Sequence, residues 1–182
     1  MKLLLVCFAF LLCTQALQLP DSFTFSFYDA ADDVAITLDI DQKLDGFGRA
    51  RIRAVTAGTL DALTYVHKLG IPNGISQTIV DFEGKQFCIE HEDLFPISNI
   101  YFSAMTLNGT ISYKGTEVEV WVNKKGVQTA QLFYVKDNAL VAFGDVRADD
   151  SHKILSVVTS FEVRVFNRNH FIKPAGIICR RY

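Results

Sequence analysis

The side chains of this 182-residue chain that could do chemistry are four cysteines, four histidines, 20 carboxylates and one asparagine sequon. His67, His91, His152 and His170 are scattered, and no two stand at the spacing of a metal-ligand pair. No GxSxG elbow, HExxH helix, phosphate-binding loop or GxGxxG turn occurs. Asp39-Ile40-Asp41-Gln42-Lys43 begins like a calcium loop, but Leu44 stands where that loop needs glycine and no glutamate closes it. Asp29, Asp32 and Asp33 form a second acidic group, read as a solvated turn. The expectation is a non-enzymatic protein with no cofactor and no metal. Asn108-Gly109-Thr110 is an acceptor for an Asn-linked glycan, and Asn-Gly also favours a hairpin turn there. Arg49, Arg51 and Arg53 alternate along one strand, read as its solvent side, and Arg180-Arg181 as a frayed tail.

What these residues can do depends on the compartment. Lys2 followed by the apolar run Leu3–Leu12 and the small residues Thr14-Gln15-Ala16 has the three-part pattern of a secretory leader. The run is about half the roughly 20 residues that span a bilayer, and no later run is long enough, so no integral membrane segment is expected. Residues 1–16 are read as a signal peptide and residues 17–182 as one secreted, extracellular domain. Cys7 and Cys13 leave with the leader. Cys88 and Cys179 remain in an oxidising compartment, and a disulfide between them is expected in preference to two buried thiols. It would close a loop of about 90 residues and contribute roughly 4 kcal/mol in the chain-entropy treatment. Loss of Lys2 takes the formal net charge from −2 to −3, which gives no reason to expect nucleic acid as a partner.

The elements that must position these groups alternate with period two. Ser22–Phe27 puts three phenylalanines on one face, and Val34–Ile40, Arg49–Ala54, Glu117–Val122 and Phe161–Val165 repeat the pattern. Gln86–His91, Gly109–Lys114, Gln128–Val135 and Leu140–Val146 are further strands. Turn pairs such as Glu83-Gly84, Lys114-Gly115 and Lys125-Gly126 separate them. Helical spacing of Leu60, Leu63 and Val66 suggests one helix over Thr59–Lys68, with short helical turns in Glu92–Tyr101 and Asp149–Leu155. The fold class expected is mainly β: a strongly curved antiparallel sheet of eight to ten strands, a half-barrel with one or two short helices on its concave side.

The alternating apolar stripes are either a closed core or the lining of a groove. Curvature around a sheet of this size favours a groove for a lipid or other hydrophobic small molecule. Phe23, Phe25, Phe27, Ile36, Leu38, Val118, Val120, Val122, Phe161, Val163 and Val165 would line it. The alternative is an extracellular interaction or matrix module with a closed core, acting through loops and edges and able to form a homodimer.

The second half carries Leu107–Val122 with a Tyr113-Lys114-Gly115 turn and a lone Trp121. Then come Phe133-Tyr134, the run Phe161–Asn167, and Phe171–Pro174 leading to Cys179. In these features the chain resembles the ependymin-related secreted glycoproteins, and more broadly curved-sheet lipoprotein carriers of LolA-like architecture. The resemblance covers Phe82 to Cys179 and, more loosely, Phe23 to Val55, with Trp121 and Cys179 matching best. It implies the curved sheet, secretion and an apolar pocket. The chain keeps fewer cysteines than the family pattern and lacks an acidic constellation, so calcium binding is not carried over.

Overall fold

The computed structural model describes residues 17–29, 32–46, 48–56, 60–67, 75–92, 105–123, 129–147 and 152–181. The expected leader, the expected turn at Lys125-Gly126 and all but the first residue of the expected helical turn at Glu92–Tyr101 lie outside them.

Twelve described strands form one sheet. They are β1 (Ser22–Asp29), β2 (Val34–Asp41), β3 (Arg49–Thr56), β4 (Leu60–Val66), β5 (Ile75–Phe82), β6 (Lys85–Glu92), β7 (Thr106–Tyr113), β8 (Thr116–Asn123), β9 (Thr129–Lys136), β10 (Ala139–Arg147), β11 (His152–Val163) and β12 (Cys179–Arg181). Their order is β12-β6-β5-β4-β3-β2-β1-β11-β10-β9-β8-β7. Every neighbour pair is antiparallel except β12 with β6, which is parallel. The sheet is a meander with two crossovers: β11 returns to pair with β1 and so joins two wings, β1–β6 and β7–β10, and β12 crosses back to pair with β6. It does not close, and β7 and β12 are its edges.

Local chemistry sets the hairpins. Glu83-Gly84, Lys114-Gly115 and Asp137-Asn138 each have both central residues at positive φ, the mirror-image turn whose twist matches the flanking strands. The strands themselves follow the alternation of β-branched and aromatic residues with polar ones.

The face carrying Phe23, Phe25 and Phe27, here the inner face, holds the largest cluster. Phe23, Phe25, Leu38, Ile40, Ala50, Ile52 and Val66 from one wing join Trp121, Val135 and Leu140 from the other, with Leu17, Leu19 and Met105. Membership from both wings in one cluster is what curling toward that face produces. Bulges at Ser26/Phe27 and Phe143/Gly144, on either side of β11, add local twist where the wings meet, and a third at Leu140/Ala142 lies within the second wing.

No α-helix occurs among the described residues. Leu60–Val66 is a strand, because its polar and small residues, Ala62 and Thr64, pair across to Ala54 and Ile52 on the inner face. The described part of Asp149–Leu155 is the start of β11. Two 3-10 turns, Leu44–Gly46 and Arg168–Phe171, are the helical elements among the described residues. The second lies against the outer face, packed on β3, and not on the concave side. Arg180 and Arg181 form β12 instead of a frayed tail, held beside β6 by the Cys88–Cys179 disulfide with Cα atoms 4.4 Å apart.

Candidate ligand-binding face and its supporting network

The register assembles three rows across the inner face. Phe23, Ile40, Ala50, Val66 and Ser76 stand in the first, all buried, with Phe23 at 0% exposure. Phe25, Leu38, Ile52 and Thr64 make the second, also buried, ending at Thr78 and Ile89. The third runs Val158, Phe27, Ile36, Ala54, Ala62, Val80 and Phe87 across seven strands. Every member of it is apolar, and every member is only partly buried or, at Phe87, 48% exposed. The next row beyond it is mixed, with Val34, Leu60 and Phe82 standing among Asp29, Thr56 and Lys85.

The inner face is therefore closed at one end and open at the other. The open row starts at the Phe27–Phe143 edge contact, centroids 4.8 Å apart, and finishes at the β6–β12 edge. There Phe87, Ile89, Ile178 and Arg180, with Gln86 and Cys88, line an open recess of about 440 Å³ with both polar and apolar walls. Water excluded from such a surface by an apolar guest favours binding by roughly 25 cal/mol per Å² buried.

Of the residues expected to line one groove, Phe23, Phe25, Leu38, Phe27, Ile36 and Phe161 do share the inner face. Only Phe27, Ile36 and Phe161 keep part of their surface open. Val118, Val120 and Val122 do not share it. They form a separate buried cluster with Leu132, Tyr134 and Ala142 on the opposite face. Alternation leaves β8 no choice: Trp121 goes inward, so its even-numbered valines go outward. Val163, the last residue of β11, stands opposite Phe23 on the inner face but is 69% exposed, and Val165, beyond the strand, is 98% exposed. Val158, Ala54, Ala62, Val80 and Phe87 of the open row were missed. Ala62 lies in the segment with helical spacing, and β5 shows no clean alternation in Ile75-Ser76-Gln77-Thr78-Ile79-Val80.

The outer face of the first wing is covered by the chain after β11. Asp39, buried on β2, accepts from Thr24 Oγ1 at 2.7 Å through Oδ1 and from His170 Nε2 at 2.7 Å through Oδ2. Arg51 Nη1 stands 3.4 Å from the same Oδ2. The His170 ring stacks on Phe166 at 4.9 Å and meets the edge of buried Phe171. Arg168 pairs with Asp45, Ile177 packs with Tyr65 and Ile79, and Cys179 ends the segment at the disulfide. This strap from Arg164 to Cys179 anchors the wall that Ile178 and Arg180 add to the recess.

The three alternating arginines are engaged within the chain. Arg49 pairs with Asp45 and reaches His67 Nδ1 at 2.8 Å, so His67 presents Nε2–H to Gln77 Oε1, and Gln77 donates to Glu90. Arg53 grips Asp61 through two hydrogen bonds, which hold the Asp61 carboxyl below its ordinary value. On the second wing, burial and then the neighbouring Tyr113 push the Tyr134 phenol up. An imidazole bonded to a carboxylate has acid–base chemistry, but His170 lies between two phenylalanine rings and serves the strap. Among the described residues no group of three His, Cys, Asp or Glu is placed to hold a metal ion, and no helix is long and apolar enough to cross a membrane.

Asn108 lies in β7 and not in a hairpin turn. The register steps from Leu107–Trp121 to Gly109–Val120, which leaves Asn108 as the extra residue of a bulge, exposed to solvent. Gly109 has φ 127°, a conformation that a side chain would strain. No protein-family model matches the chain, and no curated protein matches it.

Proposed function

We propose that this is a secreted, non-enzymatic binding protein that carries or sequesters a lipid or other hydrophobic small molecule on the open end of the inner face. The observation that carries the proposal is the apolar row from Val158 to Phe87, left partly exposed across seven strands and ending in the recess beside Arg180. A soluble domain gains nothing from a long apolar strip in water, and such strips mark sites of association. The Cys88–Cys179 disulfide supports export. Kinship with the ependymin-related glycoproteins is part of the same proposal, supported by the curved sheet, the inward Trp121 and the bonded Cys179. The test is titration of delipidated residues 17–182 with a dansyl-labelled fatty acid, a retinoid and a lysophospholipid. Saturable binding of at least one class is expected. No saturable binding by any of them would sink the proposal.

A second reading has its own observation. The rows of Phe23 and Phe25 are fully packed, as in an interaction or matrix module whose core is closed. On that reading the open row is a protein contact, and the same titration gives no saturation while the mature protein self-associates or binds a matrix component.

A further inference from the structure

We infer that a glycan on Asn108 guards the β7 edge of the sheet and prevents a second copy of this chain from adding to it. The inference rests on export through the secretory pathway and goes beyond ligand binding. Edge strands expose unpaired N–H and C=O groups and template strand addition unless something blocks them. The two edges here are protected very differently. The β12 edge is three residues long and tied down by a disulfide. The β7 edge is eight residues long, Thr106 to Ser112 are all exposed, and Leu107 and Ile111 each show 40% of their surface to solvent.

Apart from one bulge, the usual guards are missing from β7. Its sequence, TLNGTISY, has no charged residue and no proline. It does have high β-propensity and no net charge, the combination that favours intermolecular pairing. The bulge has two effects. It turns Leu107 to the Trp121 side and Ile111 to the Val118 side, so both faces of the edge carry an apolar residue. It also sets Asn108 out of register at the middle of the exposed edge, with Thr110 exposed beside it to complete the sequon. A bulky hydrated oligosaccharide anchored at that point crowds the approach of an incoming strand to the edge.

The test uses the full chain secreted from cells restricted to high-mannose glycans. Peptide mass spectrometry locates the glycan, and light scattering after size exclusion reads association over a concentration series. Three samples are compared with the glycosylated protein: the same protein trimmed by endoglycosidase H, Thr110→Ala, and Thr110→Ala with Ile111→Lys. The trimmed protein and Thr110→Ala are expected to add a higher-mass species, forming at concentrations lower by about tenfold or more. The lysine in the double variant supplies the missing edge charge and is expected to remove that species. An unmodified Asn108 in the secreted protein, an unchanged mass distribution after trimming and in Thr110→Ala, or association that survives Ile111→Lys would each overturn the inference.

Discussion

At the scale of single residues, two ion pairs of the outer face differ in worth because they differ in burial. Asp39 is buried and answers Thr24, Arg51 and His170 at once. Asp39→Ala strands those partners under the strap and is expected to cost about 2–4 kcal/mol, read from urea unfolding. Asp61 is half exposed beside an exposed Arg53, where solvent screens the pair, so Asp61→Asn should cost less than about 1 kcal/mol. Its contribution has a definite pH sense. The Asp61 carboxyl is depressed in the folded chain by Arg53, so its stabilisation is complete above the ordinary carboxylate value. It is lost as pH falls through the lower folded value. The stability difference between wild type and Asp61→Asn should therefore shrink toward zero in strong acid, and a difference that persists there would contradict the assignment.

At the scale of elements, the strap and its disulfide hold one wall of the recess. Replacing both cysteines by alanine releases β12 from β6 and opens a loop whose ends are 91 residues apart. A loss of roughly 4 kcal/mol is expected from unfolding in urea, with faster amide exchange concentrated in β6 and residues 179–181. Exchange spread evenly over the sheet would show that the strap is not a local clamp. The elements were legible in the sequence where alternation was clean. Phe23-Phe25-Phe27 and Ile36-Leu38 read as strands and are strands on a shared face. The segment Leu60–Val66 misleads because Leu60, Leu63 and Val66 happen to fall at helical spacing, while the strand pairing that decides the matter is made with β3 and β5. On β8 the valines make the apolar stripe, so alternation points them inward, yet the single Trp121 on the polar parity is the residue that joins the inner cluster. The strap was not legible, because His170 and Asp39 are 131 residues apart and nothing local to either announces the other.

At the scale of the whole molecule, the unclosed sheet explains why one apolar face behaves in two ways. Where the wings share a cluster, Phe23, Leu38 and Trp121 are sealed off from water. At the other end of the same strands the row of Phe27, Ile36, Ala54 and Ala62 keeps contact with solvent. The candidate site was thus half legible: the stripe was visible in the sequence, but which part of it stays open depends on how far the wings curl together. Binding on the open row is the central claim, and the pleat of β3 provides its sharpest test. Ala54 is in the row, and its neighbour Val55 is exposed on the opposite face. Titration of a dansyl-labelled fatty acid into folded Ala54→Glu and Val55→Glu, matched by their thermal transitions, compares the two faces directly. Ala54→Glu is predicted to abolish saturable binding while Val55→Glu keeps the wild-type affinity. Equal binding by the two variants would contradict the account.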